Sequence, residues 1–350
     1  MIVFLKKTIA FFIVLLMYCI AFVFFNPFFQ SGDDVAMQMI ANGMVGGSPE
    51  ERLVFINVII GYLLKYLYVN YYIIEWYSLF IIIFNFSSLL IIFNFILKKY
   101  KLVHQIILFV FFFYFFVVFQ FTLTAALLTI SGFCLVFNYF ETKKRFSIIF
   151  GALLFVVAAL YRVEMFALLF ILGILYLLII YDYKTVIKQA TFLILPIILI
   201  FSFEMYNKSV YKIDSQWSCF FEYNKVRGEL NDNIQLRSYL VEIENDKNFN
   251  KNDLIATSLF INHFISSEEM NLNRLNDLKK SSQSGYLKKS LVSIFTQVFH
   301  HKLFLLFLVL FSFYLLIPKK SVYINLLFIV ISFLFVFIMN DKLLKARIYV

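Results

Sequence analysis

Long apolar runs broken by short charged clusters set the pattern of this chain. The runs predict helices near 8–25, 73–97, 103–119, 122–140, 147–160, 165–181, 190–206, 303–317 and 323–339. Several are roughly 16–20 apolar residues long, enough or nearly enough to cross a hydrocarbon core of about 30 Å. The expected fold is all-α, a polytopic membrane helical bundle with about nine spanning helices. One further run, 53–69 (LVFINVIIGYLLKYLYV), is ambiguous. In it Asn57, Gly61 and Lys65 recur at i, i+4 and i+8, a polar stripe on one helical face. At 1.5 Å per residue it reaches roughly 25 Å, short of a comfortable span.

Charge decides how the run 53–69 is read. If Lys6 and Lys7 are cytoplasmic and 53–69 does not cross, four later clusters fall on the cytoplasmic side: KKYK (98–101), TKKR (142–145), DYKTVIK (182–188) and PKK (318–320). If it crosses, all four move outside, against the positive-inside rule. The segment is therefore expected to be an interfacial or re-entrant helix within an external loop, 26–72, which also holds a short helix at 33–45. Three regions follow: an N-terminal transmembrane module, 1–206, an extracytoplasmic helical loop, 207–301, and C-terminal transmembrane helices, 302–350. Lys342, Lys345 and Arg347 fit the outer side poorly, and a truncated terminus or a missing partner element would account for that. The first apolar run is too long for a signal-peptide core and lacks a small-x-small cleavage site, so it is read as an uncleaved helix.

Composition agrees with the pattern. Of 350 residues 62% are hydrophobic, 48 are Phe and 15% are charged, where a soluble domain carries about 25% charged residues. The net charge of +10 sits in clusters between apolar runs, with no basic face for nucleic acid. Cys19, Cys134 and Cys219 have no metal-like spacing and form no CxxC signature. The Ile-, Phe-, Asn- and Lys-rich composition fits an AT-rich bacterial genome, and the expected location is a bacterial plasma membrane.

Ionisable groups beside a membrane are functional candidates. Asp33 and Asp34 open the first external loop in "SGDD". Capping explains one acid, with Ser31 helping, because the first turn of a helix favours negative charge. Two adjacent acids near the bilayer repel, which should raise one pKa and suits a general base or a cation ligand. "YRVEMF" (161–166) is the whole turn between two helices and pins Arg162 and Glu164 to the surface. They read either as a snorkelling local ion pair or as a guanidinium offered to a lipid-borne phosphate. In "FEYNKVRGELND" (221–232) Asn224 and Arg227 share a face if helical, as part of a surface helix or as contacts to substrate hydroxyl and phosphate groups. Thr122 and Thr124, at the start of "FTLTAALLTISGF", either pack or line a site, and Lys65 joins the polar stripe. His263, His300 and His301 read as solvated or interfacial. Nucleophilic triads, phosphate-cradling glycine loops and HExxH motifs are absent from the sequence.

The order of these features resembles the C-type glycosyltransferase superfamily, GT-C, whose multi-spanning members use polyprenyl-phosphate-linked sugars. The resemblance rests on the cytoplasmic start, one helix, "SGDD" opening a long external loop, and "NVIIGYLLKYLY…EWY" (57–77). It is closest to bacterial multi-pass members that carry an "FTxTA" helix start, an "R-x-E" turn and a "YNxxR" loop. Here these are Phe121–Ala125, Arg162–Glu164 and Tyr223–Arg227, and the coverage is about residues 5–235. The resemblance implies that Asp33 or Asp34 acts as catalytic base or helps hold a divalent cation such as Mg or Mn. The chain is shorter than the larger members and lacks their acceptor-recognition motifs.

The function expected is transfer of a sugar from a polyprenyl-phosphate carrier to a cell-surface glycan, lipid or protein on the extracytoplasmic face. Asp33 or Asp34 would be catalytic, and Arg162, Glu164, Asn224, Arg227, Thr122, Thr124 and Lys65 would bind substrate. The partners are then the lipid-linked sugar, the acceptor and the bilayer, with no nucleic acid. An O-antigen or capsule polymerase or ligase is the alternative and shifts weight to Arg227 and Arg237. A lipid-linked sugar flippase or transporter is a third reading.

Overall fold

The computed structural model describes residues 2–231 and the isolated positions 273 and 276. The segments 303–317 and 323–339, Arg237 and the three histidines at 263, 300 and 301 lie outside the described residues. The chain divides into two compact units at Val210 and Tyr211.

The first unit is helical, as its apolar runs require, because a backbone away from water must satisfy its own hydrogen bonds. In order come α1 (Ile2–Phe24), β1 (Phe28–Phe29), α2 (Gly32–Ala41), α3 (Val58–Asn70), α4 (Trp76–Lys99), α5 (Leu102–Val117) and β2 (Val118–Phe119). They are followed by α6 (Phe121–Thr142), α7 (Arg145–Tyr161), α8 (Val163–Ile180), α9 (Tyr183–Ala190) and α10 (Ile194–Ile213). The second unit begins within the last turn of α10 and continues in α11 (Ser215–Asn231). There Tyr211 packs its ring against Trp217 and Phe221.

Among the described residues four stretches are long and apolar enough to cross a membrane: Lys6–Phe24, Trp76–Lys99, Phe121–Thr142 and Tyr183–Ile213. Shorter apolar helices are Val58–Asn70, Leu102–Val117, Arg145–Tyr161 and Val163–Leu178. The exterior is greasy as well. Phe12, Leu16, Val110, Phe146, Ile149 and Phe201 all point outward, an exposure that suits lipid and not water. This is the build of a helical membrane protein.

The centre of the unit is α6, buried along most of its length between α4, α7 and α8. It approaches α7 closely where Gly132 faces Gly151: a Cβ on Gly151 would lie 3.0 Å from the Gly132 carbonyl oxygen. Small residues of this kind let helices pack backbone to backbone.

The bundle has two chemically distinct ends. At one, the exits of α1 and α5 are joined by the parallel pair β1–β2, with Phe28 opposite Val118 and Phe29 opposite Phe119. Gln30 extends this link by donating from its backbone to the Phe119 carbonyl at 3.0 Å. The acidic pair is at this end. At the other, Lys6 donates to the Leu97 carbonyl at 3.0 Å, Lys99 pairs with Glu141, and Asn138 donates to Ser147 at 2.7 Å. That end carries Lys6, Lys7, Lys98, Lys99 and Lys144.

Candidate functional site

The Asp34 carboxylate accepts three hydrogen bonds at the acidic end. Oδ1 accepts from the Tyr77 hydroxyl at 2.9 Å and from the Phe121 backbone N–H at 3.0 Å; Oδ2 accepts from the Ser31 hydroxyl at 2.8 Å. Ser31 precedes α2 but makes no side-chain bond to its amides. It serves the carboxylate instead. One fully buried acid thus ties α2 to the first turns of α4 and α6. Burial is the main reason its carboxyl is pushed up to about 6; the three donors oppose this, and the charge of Asp33 adds the smallest push. The repulsion expected between the two acids is therefore real but minor. Asp33, in the same turn, keeps 9% of its surface exposed.

The loop between α2 and α3 explains the polar stripe. Gly43, Gly46 and Gly47 turn it at φ of 84°, 88° and 79°. It then runs across α3 so closely that a Cβ on Gly61 would collide with the Glu51 carbonyl oxygen. One helical turn on, Lys65 reaches Glu51 at 2.5 Å, with side chains 40% and 12% exposed respectively. Glu50 takes Arg52 at 2.8 Å. Burial pushes the Glu50 carboxyl up, but the hydrogen bonds and charge of Arg52 outweigh it and hold it below the usual range. The stripe is therefore a seat for the loop, and Lys65 is committed to holding it.

The third member of the stripe, Asn57, caps α3 by accepting from the Ile59 amide at 3.1 Å. Its side-chain amide donates to the Phe203 carbonyl and to Glu204 Oε1, both at 3.2 Å. Its backbone N–H donates to the Leu160 carbonyl at 2.9 Å. Asn207 completes the tie by accepting from the Val58 amide at 3.0 Å. At the far end of α3 the Tyr68 hydroxyl donates to Glu75 at 3.4 Å and accepts from the Tyr77 amide at 3.0 Å. Both ends of α3 are thereby bonded to the acidic end of the bundle.

Arg162 stands beside this junction. Its Nε lies 3.0 Å from Glu164, and the two side chains are 22% and 45% exposed. Its guanidinium carbon is 5.3 Å from the Phe55 ring centroid and 5.6 Å from that of Phe121, and these rings stack 5.8 Å apart at 14°. Cation–π contacts of this sort hold a guanidinium plane in place. Glu204 is within electrostatic reach of both Arg162 and Glu164. Phe121 is thus the hinge of the site: its amide serves Asp34 and its ring faces Arg162.

The structure brings together Asp33, Asp34, Arg162, Glu164 and the start of α6. Thr122 is half-buried there, while Thr124 is fully buried and donates to the Gln120 carbonyl one turn back at 3.1 Å. Lys65 lies one turn further along the loop seat. Asn224, buried, and Arg227 lie on α11 in the other unit. Sequence reasoning did not single out Glu204, Asn207, Phe55 or Tyr77. For Glu204 a signal existed: a lone acid in "FSFEMYN" at the end of an apolar run. For Tyr77 and Phe55 none did, since each acts through a residue far away in the chain.

For a divalent cation, Asp34 has little room left. Cation ligands must offer free oxygen lone pairs, and three donors already take most of the roughly four lone-pair positions of the Asp34 carboxylate. Among the described residues no group of three or more His, Cys, Asp or Glu gathers elsewhere to hold a metal. Comparison of the chain with protein-family models, with curated proteins and with solved structures gave no match.

Proposed function

We propose that the chain is an integral-membrane glycosyltransferase that takes a sugar from a polyprenyl-phosphate carrier at its acidic end, outside a bacterial plasma membrane. In this reading the N-terminus is cytoplasmic, about nine helices span, and α3 dips into the external face without crossing. The bonds from both ends of α3 to the acidic end support that path. The lysines at the opposite end support the orientation.

The observation that carries the reading is the double role of Phe121, which puts the acidic pair and Arg162 at one end of the bundle. Arg162, braced by two rings, offers its fork to the carrier phosphate. Asp33, which keeps an exposed edge, takes the proton from the acceptor hydroxyl as that oxygen attacks the anomeric carbon. The bond from that carbon to the carrier oxygen breaks, and the phosphate leaves with the electron pair, stabilised by the guanidinium. Asp34 positions α2 and is not in contact with substrate. Glu164 and Glu204 balance the charge of Arg162 when the carrier is absent.

The test is mass spectrometry of lipid-linked sugars and surface glycans in cells with and without the chain, repeated with variants of matched expression. Asp33→Asn is expected to lower transfer by about 10²–10⁴-fold, the usual weight of a general base. Arg162→Lys keeps the charge, loses the fork, and should also depress transfer. Full glycan transfer by both Asp33→Asn and Asp34→Asn would end the acidic-pair mechanism.

A further inference from the structure

The end of the bundle opposite the acidic pair gathers like charges that the fold does not neutralise. Lys6 and Lys7 come from α1, Lys98 and Lys99 from the last turn of α4, and Lys144 from the residue capping α7. Lys98 lies within electrostatic reach of the other four. Among these five, Lys99 has Glu141 and Lys6 gives its ammonium to the Leu97 carbonyl. For Lys7, Lys98 and Lys144 no carboxylate partner is found among the described residues, and all three side chains are exposed.

The apolar helices force this convergence. α1 and α4 pack along each other with their lysine ends together, and α6 brings the α7 cap alongside. Like charges held this way repel, and a counter-charge at the same depth relieves the repulsion. An aromatic rim accompanies the cluster: Tyr100, directly after Lys99, is 41% exposed, and Tyr183, 58% exposed, has the Lys184 ammonium 5.9 Å from its ring centroid. Exposed tyrosines beside lysines mark headgroup depth. Beyond the rim, α9 is amphipathic, with Val186 buried and Lys184 and Lys188 turned outward.

We propose that Lys7, Lys98 and Lys144 form a binding site for the phosphate of an anionic phospholipid headgroup. The lipid supplies the negative charge that the helix ends lack, while its acyl chains lie along the exposed apolar flank of α1, where Phe12 and Leu16 face outward. A lipid is favoured over a soluble anion because an apolar flank and an aromatic rim accompany the charges.

The test uses the full chain purified in a neutral detergent, with thermal unfolding followed as phosphatidylglycerol, phosphatidylcholine of matched chains, or inorganic phosphate is added. Phosphatidylglycerol should raise the midpoint at far lower concentration than phosphatidylcholine, and inorganic phosphate should do little. With Lys7→Gln, Lys98→Gln and Lys144→Gln combined, apparent affinity for phosphatidylglycerol should fall about 100-fold, at about 1 kcal/mol per lysine and 1.4 kcal/mol per tenfold. The same three positions changed to Arg should keep the affinity, so the proposal stays open to test even if the Gln variant folds poorly. An unchanged response in the Gln variant overturns it, as does equal stabilisation by phosphatidylcholine. An equal response to inorganic phosphate would replace it with a soluble-anion site.

Discussion

Burial and hydrogen bonding pull on Asp34 in opposite directions, and burial wins. Its carboxyl moves from the ordinary 3.8 to about 6 on folding. A raised pKa means that the folded chain holds this proton more tightly than the unfolded one. The resulting stabilisation is complete below about pH 3.8 and is lost as pH rises through about 6. Two pH units at about 1.4 kcal/mol each make this about 3 kcal/mol. Thermal unfolding between pH 4 and 7 should therefore show a fall in stability toward neutrality that Asp34→Asn flattens. Asparagine keeps an oxygen for Tyr77 and Phe121, and its amide can donate to the Ser31 hydroxyl. Asp34→Ala strands three donors and should destabilise the chain by about 1–3 kcal/mol or more at every pH. The doubled acid was legible in the sequence, and so was its place in a first helical turn. Its partners were not, because Tyr77 and Phe121 lie 43 and 87 residues away and no local periodicity connects them.

Among the elements, α3 is the one whose character depends most on a neighbour. Its polar stripe was visible at i, i+4 and i+8, but a stripe alone does not say whether water, substrate or chain covers it. Here the chain does, and the small residue at its centre is the reason. Gly61→Ala should push the loop off the helix and cost about 1–3 kcal/mol, the range for overpacking. Lys65→Ala, at a half-exposed pair, should cost about 0–1 kcal/mol. Unfolding midpoints of the two variants in detergent check this order. A smaller loss for Gly61→Ala than for Lys65→Ala would show that the loop is not seated there. The spanning stretches were easier to read, since length and apolarity alone define them. α10 extends past the apolar run to Ile213, which carries Asn207 beyond Glu204 into the junction with α3.

On the scale of the whole bundle the two ends of the first unit differ in chemistry, one acidic and one rich in lysine, and the proposed function makes a simple demand on topology. Position 48, in the loop after α2, belongs to the acidic end; position 100, after α4, belongs to the lysine end. In a chain with Cys19, Cys134 and Cys219 replaced, Ser48→Cys should react with an impermeant maleimide on intact cells. Tyr100→Cys should react only after permeabilisation. Labelling of both from outside would remove the sidedness on which the glycosyltransferase reading stands.

The bond from Phe121 to Asp34 also has a consequence for biogenesis. A ribosome adding about 5–20 residues per second needs roughly 4–17 seconds to advance the 87 residues from Asp34 to Phe121. Until then the nascent loop must keep its carboxylate hydrated, since burying it without the Phe121 amide would forfeit one of its three donors. Closure of the acidic end is thus timed by the arrival of α6, and a chain stopped after α5 would leave that end without the Phe121 donor.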